Sequence, residues 1–297
     1  MPNTAITIIL ISTLLHASWN LMVRRKRSEI QFVFRMLLAI VAIGLIPMII
    51  FEFFLAPLGA RLWILSAISG IFCGLYFTGL AKGYENSDFT FIYPIARALP
   101  VLFIAVADVI LGRWPTSPGW LGLSLIVMGC LLAPQTSFRV FQKNRYANRA
   151  FGWVLLAAMG TIGYSLTDKI GATELATLPL NRPLSAARYT YVFFVVALIV
   201  YSFLTPASRR RCTNSPSPGW LLPLTAGLLN WASYLMVIFA LQITNQVSYV
   251  VAFRQFSIVI GVFLAFIIFK EPGAMVRMTA SLLITSGLIL IALWGAC

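Results

Sequence analysis

The sequence contains few charged residues and very few acidic ones. Asp and Glu together number 8 in 297 residues, histidine occurs once, and 10% of the chain is charged against 60% hydrophobic. A soluble domain of this size needs far more polar surface, so a soluble protein is excluded. Acid–base catalysis needs titratable side chains, and the HExxH and GxSxG motifs are absent as well. We therefore do not expect an enzyme.

Cysteine is also scarce. The four residues Cys73, Cys130, Cys212 and Cys297 form no CxxC pair, which excludes the usual zinc and dithiol motifs. Cys73 and Cys130 fall inside apolar segments, where we expect them to pack as small apolar side chains. The sequence predicts neither a metal site nor a cofactor.

Long apolar runs occupy most of the chain, and each can cross a hydrocarbon core of about 30 Å as a helix. The pattern predicts an all-α membrane protein with ten transmembrane helices. The ten spans cover approximately 4–23, 32–54, 62–81, 91–111, 118–134, 151–168, 187–205, 220–241, 248–269 and 276–295.

The two halves of the chain resemble each other at a spacing of 157 residues. This shift places Arg97 on Arg254 and Pro115 on Pro272. Five spans in each half give the halves opposite orientations, which is the inverted-repeat plan of secondary transporters. We predict two inverted five-helix repeats, the first over 1–136 and the second over 151–297, joined by a basic loop over 137–150.

The net charge of +14 comes largely from basic loops between the apolar runs. Loops from odd to even spans carry 14 Lys and Arg residues, and loops from even to odd spans carry 5. The positive-inside rule then places the odd-to-even loops in the cytoplasm and both termini outside. Clusters in this arrangement argue against nucleic acid as a partner.

Four stretches carry a resemblance to a known family. With ten spans in two halves, the chain resembles the drug/metabolite transporter superfamily, of the EamA type, over nearly its whole length. The resemblance implies a ten-helix transporter of small metabolites in the cell (inner) membrane, with export commoner than uptake. The stretches are HASWN (16–20), YPIARALP (93–100), LGRWPTSPGWLGLSLIVMGCLLA (111–133) and FKEPGAMVRMTASLLITSGLILIA (269–292).

Two features depart from that family. Its members usually have an acidic residue in the turn between the fourth and fifth spans of each half. Glu271 fits this pattern, but the first half has Arg113 and Trp114 instead. Members are also commonly placed with cytoplasmic termini, which is opposite to the orientation that the loop charges predict.

Arg97 and Arg254 lie where lipid penalises a charge, each about six residues, or ~9 Å, into a span. A buried guanidinium suits a carboxylate or phosphate, so we predict that these arginines bind an anionic substrate group or act as gates. The alternative is a structural pairing with helix carbonyls or a carboxylate, or snorkelling to the interface. Pro94 and Pro100 flank Arg97, and a proline inside a span can break its helix, whereas the ninth span has no such prolines.

Other polar residues are candidates for proton coupling. His16 can exchange a proton near neutral pH, and Asn20 shares its helix face one turn later. Asp108 and Asp168 are carboxylates within or next to spans, where a charge is costly unless it is paired or hydrated. The alternatives are helix packing for His16 and an ion pair with a loop residue for Asp108.

Aromatic residues are candidates to line a cavity for an apolar part of the substrate. The alternative is that they anchor the protein at the lipid interface or pack helices together. Trp19, Tyr76, Tyr93 and Tyr234 are the predicted substrate-binding aromatics, and Tyr84, Tyr164 and Trp231 belong to the same set.

These features together favour a secondary transporter working by alternating access. Its substrate is predicted to be a small amphipathic metabolite with an anionic group, such as an amino acid or organic acid. Protons or a counter-substrate are the candidate coupling partners. We expect the protein to lie in the lipid bilayer as a monomer or homodimer. A non-transporting scaffold or accessory subunit is the alternative, and an intramembrane enzyme is a distant third.

Overall fold

All regular structure in the described part of the chain is α-helical. The computed structural model describes residues 1–24, 29–54, 57–86, 89–133, 135, 137, 151–206, 219–260 and 274–294, without the side chains at 21, 24, 29, 84–86, 89–98, 274 and 277. Each helix coincides with one of the predicted spans, so the prediction of an all-α protein with ten helices is confirmed. The helices are α1 (Asn3–Arg24), α2 (Glu29–Phe54), α3 (Ala60–Asn86), α4 (Phe89–Ile110), α5 (Ser117–Leu132), α6 (Phe151–Leu175), α7 (Arg182–Leu204), α8 (Leu221–Gln242), α9 (Val247–Arg254) and α10 (Ala274–Trp294).

The outer surface of the helix bundle is rich in large apolar side chains. Phe53, Ile110 and Phe203 are 79%, 78% and 81% exposed. Extended apolar surface of this kind belongs in contact with lipid. Within the described residues, four helical segments are long and apolar enough to cross a membrane by length and composition: Ile30–Phe54, Ala60–Gly83, Arg182–Leu204 and Leu221–Gln242.

Local sequence explains where two of the helices begin. Thr116 precedes α5, and its hydroxyl accepts a hydrogen bond from the Gly119 amide at 3.1 Å. Asn181 precedes α7 and accepts in the same way from the Leu184 amide at 3.2 Å. In both cases a proline follows in the first turn, where its missing amide hydrogen costs nothing.

The helix contacts follow a pattern that is preserved when the two halves are exchanged. α1 packs against α8, and α3 packs against α6; α2 also contacts α8, and α3 also contacts α7. Exchanging the halves turns the α1–α8 pair into the α6–α3 pair, and the α2–α8 pair into the α7–α3 pair. Two five-helix repeats related by a two-fold axis would give this arrangement, and the repeat itself stays a prediction.

α5 and α10 approach each other closely through glycines. A Cβ atom placed on Gly122 would lie 2.7 Å from the carbonyl oxygen of Gly287, and one on Gly129 would lie 2.7 Å from that of Ala280. Residue numbers rise along one helix as they fall along the other, so the pair is antiparallel. Small residues allow the two backbones to touch, as is common in membrane helix packing.

α4 is continuous despite its two prolines. The helix runs unbroken from Phe89 to Ile110, through Pro94 and Pro100. These two prolines therefore do not break the helix. A proline removes one backbone hydrogen bond, and a membrane helix tolerates that loss where its surroundings satisfy the freed carbonyl.

α9 is the helix that breaks, although it contains no proline. It ends at Arg254, Gln255 forms a turn, and helix resumes over 256–260. At the turn the Gln255 amide donates to Ala252 O at 2.9 Å, three residues earlier rather than four. This tighter bonding marks an irregularity of the type that often accompanies functional sites in helices.

Candidate functional site

A narrow cavity lies between helices of both halves, with α1, α3, α6, α7, α8 and α9 contributing to its wall. Its free space is about 10 Å³, close to the roughly 10–15 Å³ that the centre of one water molecule needs. In this conformation the cavity is therefore closed to any metabolite. Its lining residues are His16, Trp19, Cys73, Tyr76, Phe77, Tyr164, Phe193, Phe194, Asn230, Tyr234 and Arg254.

Asp168 lies behind the cavity wall and is completely buried. Its Oδ1 accepts hydrogen bonds from the Ser69 hydroxyl at 2.5 Å and from the Tyr189 hydroxyl at 3.1 Å. Its Oδ2 accepts a hydrogen bond from the phenol of Tyr234. Three hydroxyl donors from α3, α7 and α8 thus surround one carboxylate, and no ion pair in the described part of the chain includes it.

Arg254 presents a buried cation to the cavity. The residue is 5% exposed, and its Nε has no hydrogen-bond partner among the described residues. Its guanidinium carbon lies 5.4 Å from the ring centroid of Tyr234, in a cation–π contact. The end of α9 at the Gln255 turn places this side chain in the centre of the protein. A buried guanidinium without a carboxylate beside it can bind an anion.

Aromatic rings form most of the remaining wall. Phe193 stacks on Tyr234 with ring centroids 4.5 Å apart. Tyr164 meets Tyr76 edge-on at 5.8 Å and Tyr234 at 5.7 Å. These geometries are the ones that aromatic pairs prefer, and together the rings offer an apolar surface next to the cation.

His16 and Trp19 line the cavity from α1, and their roles in substrate binding and coupling stay predictions. The indole Nε1 of Trp19 donates to Nδ1 of His16 at 3.2 Å, and the rings meet at 86°. A histidine that accepts at Nδ1 is neutral and carries its proton on Nε2. Asn20 instead donates from Nδ2 to the carbonyl of His16 at 2.8 Å and does not line the cavity.

Asp108 lies away from the cavity and binds the first turn of α9. Its Oδ2 accepts from the Ser248 amide at 2.7 Å, and its Oδ1 lies 3.6 Å from the guanidinium of Arg113. Helix amides in the first turn have no partner within the helix, so the carboxylate on α4 satisfies one of them, that of Ser248. This geometry gives Asp108 a structural task, and a role in coupling stays a prediction.

A larger, open vestibule of about 880 Å³ lies where the α4–α5, α6–α7 and α8–α9 connections meet. Arg113, Lys169 and Arg182 contribute three positive charges to its wall. The ammonium of Lys169 is nearly buried and donates to the carbonyls of Leu241, at 2.9 Å, and Thr244. Asp168 and Lys169 are neighbours in α6, so this helix separates the central cavity from the vestibule.

A second, partly buried charge cluster joins α2, α3 and α7. The Glu52 carboxylate accepts from the Arg188 guanidinium at 2.5 Å, from the Trp63 indole at 3.0 Å and from the Leu58 amide at 3.0 Å. Each of these charged groups therefore has a partner of its own. The cluster holds the α2–α3 connection against α7 and does not border the cavity.

The sequence identified about half of the cavity wall. The residues that it missed lie in uniformly apolar helices, where periodicity gives no contrast. One usable signal was spacing, because polar or aromatic residues four positions apart lie on the same face of a helix. Ser69 and Cys73 form one such pair, and Tyr189 and Phe193 form another. The predicted residues that line the cavity are His16, Trp19, Tyr76, Tyr164, Tyr234 and Arg254. Asp168 contacts the cavity through Tyr234, and Asn20 and Asp108 do not line it.

The remaining candidate aromatics and Arg97 do not line the cavity within the described residues. The side chains of Tyr93 and Arg97, and that of Tyr84, lie outside the described residues. Trp231 borders a separate apolar pocket between α2, α7 and α8. Within the described residues no group of His, Cys, Asp and Glu side chains has the geometry to hold a metal ion.

Comparison with known proteins places this fold in context. Twenty-eight chains of solved structures match. One, described as a crystal structure of a protein, has a TM-score of 0.72 and 15% identity, with 99% of this chain and 98% of that chain covered. At that identity the likeness shows the fold alone. No curated protein matches.

The family comparison bears on the first half of the chain. The model of the EamA-like transporter family matches residues 3–133, a range that contains HASWN and YPIARALP. The match points to a membrane transporter rather than an enzyme, and it confirms the resemblance to drug/metabolite transporters. Residues 3–133 of this multi-pass membrane protein are therefore similar to the EamA-like transporter family.

Proposed function

We propose that the protein is a secondary transporter of a small amphipathic metabolite that carries an anionic group. The observation that carries this proposal is the guanidinium of Arg254, which is buried in an aromatic cavity with no carboxylate paired to it. A buried cation is costly, and a bound anion would compensate its charge. The substrate's carboxylate or similar group therefore binds Arg254.

The apolar part of the substrate binds beside this cation. Phe193 and Tyr234 stack, and Tyr76 and Tyr164 continue the aromatic wall. Such rings favour an aromatic or branched aliphatic group over a second charged group. An amino acid or an organic acid of similar size meets both requirements.

Transport proceeds by alternating access. The cavity is closed, while the basic vestibule opens at one end of the bundle. The substrate enters when helices of the two halves separate, and the turn at Gln255 allows the part of α9 that carries Arg254 to move separately from residues 256–260. The prediction of two inverted repeats belongs to this proposal, because such repeats can exchange conformations across the membrane.

The protein lies in the cytoplasmic membrane with both termini outside, and export is favoured over uptake. The orientation rests on the excess of basic residues in the odd-to-even loops. Reporter enzymes that are active on only one side of the membrane, fused to the C-terminus, test it. Activity restricted to the cytoplasmic side would contradict the orientation and would leave the transport proposal untouched.

Flux in proteoliposomes tests the function. The panel contains aromatic and branched aliphatic 2-oxo acids and amino acids, and each 2-oxo acid is compared with its neutral amide. We expect saturable flux of the carboxylates and little flux of the amides. Arg254→Gln should lower carboxylate flux at least tenfold, and Arg254→Lys should retain a measurable part of it.

A matched control separates the role of Arg254 from a general effect of charge. Arg61 is also an arginine, but its side chain is 73% exposed and pairs with Glu174 at the surface. Arg61→Gln should leave flux at the level of the unaltered protein. Equal flux of acid and amide, or full flux in folded Arg254→Gln protein, would remove Arg254 from the binding site.

A further inference from the structure

We infer that each substrate anion is transported together with one proton, and that Asp168 carries this proton. The inference rests on the proposed transport function and adds the coupling ion to it. Its basis is that two buried side chains of opposite charge, Asp168 and Arg254, contact the same tyrosine, Tyr234. Neither Asp168 nor Arg254 takes part in an ion pair in the described part of the chain.

Tyr234 connects the two charges. Its phenol donates to Oδ2 of Asp168, and the face of its ring lies 5.4 Å from the guanidinium carbon of Arg254. The guanidinium and the carboxylate therefore both contact one side chain, and they form no ion pair with each other. In this empty state the pair carries no net charge.

Among the described side chains that face Asp168, Arg254 is the one that carries a charge. α3 presents Ser69 and Cys73, α7 presents Tyr189, and α1 presents His16, which accepts a hydrogen bond at Nδ1 and is neutral. α6 adds Tyr164, and α8 and α9 add Tyr234 and Arg254. On α4, Asp108 is bound to Ser248 in the first turn of α9, and the side chain of Arg97 lies outside the described residues.

Binding of an anion changes this balance. An anion on Arg254 leaves Asp168 as a second, uncompensated negative charge in a water-poor interior, which is strongly unfavourable. Uptake of one proton converts the carboxylate into a neutral carboxyl group and restores neutrality. The carboxyl hydrogen is then donated to one of the three hydroxyl oxygens around it, and that hydroxyl turns its own hydrogen elsewhere.

The empty and the loaded forms then have the same net charge. The empty form contains one carboxylate and one guanidinium; the loaded form contains a guanidinium, the substrate anion and a neutral carboxyl group. Transport of a monoanion is therefore electroneutral. Its direction follows the sum of the substrate gradient and the proton gradient, so export requires an outward substrate gradient that exceeds the inward proton gradient.

The experiment uses radiolabelled phenylpyruvate as the probe, because its carboxylate remains ionised over the working pH range. Proteoliposomes of the full chain are assayed in two ways. The first assay is exchange, with probe on both sides and no pH gradient. The second is net uptake driven by an acidic outer buffer, with a pH-sensitive dye inside. We expect about one proton to enter per anion and net uptake to be insensitive to an imposed membrane potential.

Substitutions assign the proton to Asp168. Asp168→Asn should still exchange probe, although not necessarily at the original rate, and should lose proton-driven uptake at least tenfold relative to exchange. Tyr234→Phe keeps the ring under Arg254 but removes the hydroxyl, so it should lower the proton-to-anion ratio. Glu174→Gln, which neutralises a surface carboxylate that pairs with Arg61, should leave the ratio unchanged.

The possible failures are distinguishable. Absence of exchange in the unaltered protein would overturn the proposed function and this inference with it. Exchange without proton entry, or anion movement driven by the membrane potential, would overturn the inference alone. If Asp168→Asn does not fold, the proton-to-anion ratio and the potential dependence of the unaltered protein decide the matter.

Discussion

The carboxylate of Asp108 accepts a hydrogen bond from the backbone amide of Ser248 at 2.7 Å. The two residues are 140 positions apart, on α4 and α9. The contact joins the last turn of one half's fourth helix to the first turn of the other half's. It therefore connects the halves next to the helix that carries Arg254.

Replacing Asp108 tests whether this carboxylate is structural. Asp108→Ala should destabilise the protein by about 0.5–2 kcal/mol, the range measured for lost helix caps. Asp108→Asn retains an acceptor oxygen and should cost less. Thermal unfolding in detergent measures both variants. A stable Asp108→Ala protein that has lost proton uptake would instead assign the coupling role to Asp108.

The Glu52–Arg188 pair should behave as a buried ion pair. Arg188→Met alone leaves the Glu52 carboxylate without its cation and should destabilise the protein by about 3 kcal/mol. The double variant Glu52→Gln/Arg188→Met removes both charges and should recover part of that loss. Thermal unfolding of the two single variants and the double variant forms the cycle. A double variant no better than the singles would contradict the pairing.

The basic vestibule should attract anions by long-range electrostatics. Arg182 is exposed on its wall, so Arg182→Gln should raise the KM for phenylpyruvate about threefold at low salt, with kcat unchanged. The difference should vanish near 0.5 M salt, where charges about 4 Å apart are already screened. Arg61→Gln is the control outside the vestibule. A KM change that is independent of salt would indicate direct contact with the substrate instead.

We expect substitution of Gly122 to weaken the packing of α5 against α10. Gly122→Ala places a methyl group 2.7 Å from Gly287 O, so α5 and α10 must separate, at a cost of about 1–3 kcal/mol. Gly152→Ala is the matched control, because nothing lies within 4 Å of its added Cβ atom. That control should be neutral or slightly stabilising, since alanine favours helix. Equal thermal stability of the two variants would contradict this prediction.

The site was predictable where rare residue types stood out against an apolar background. A single histidine, intramembrane arginines and a few tyrosines and tryptophans attract attention, and His16, Trp19, Tyr76, Tyr234 and Arg254 do meet at the cavity. Ser69 and Tyr189, which bind Asp168, did not stand out in this way. Their importance depends on a carboxylate that is distant in sequence.

Backbone irregularity occurs in α9 rather than in the helix that contains the prolines. The prolines of α4 suggested a break, because a proline removes a hydrogen bond within its own helix. The turn at Gln255 arises instead where α9 packs among α1, α4, α5, α6, α8 and α10. A local rule on proline could not anticipate a change of hydrogen bonding imposed in that environment.

The sequence by itself determined that this protein lies in lipid and how many helices it has. Lipid requires long apolar helices whose backbone hydrogen bonds are satisfied within each helix, and such helices can be recognised from the order of residues along the chain. Only the tertiary structure decided which polar residues share a site. Asp108 and Asp168 looked alike as carboxylates associated with spans, yet one caps α9 and the other contacts the cavity through Tyr234. The difference arises from helix packing, since the partners of each carboxylate come from other helices.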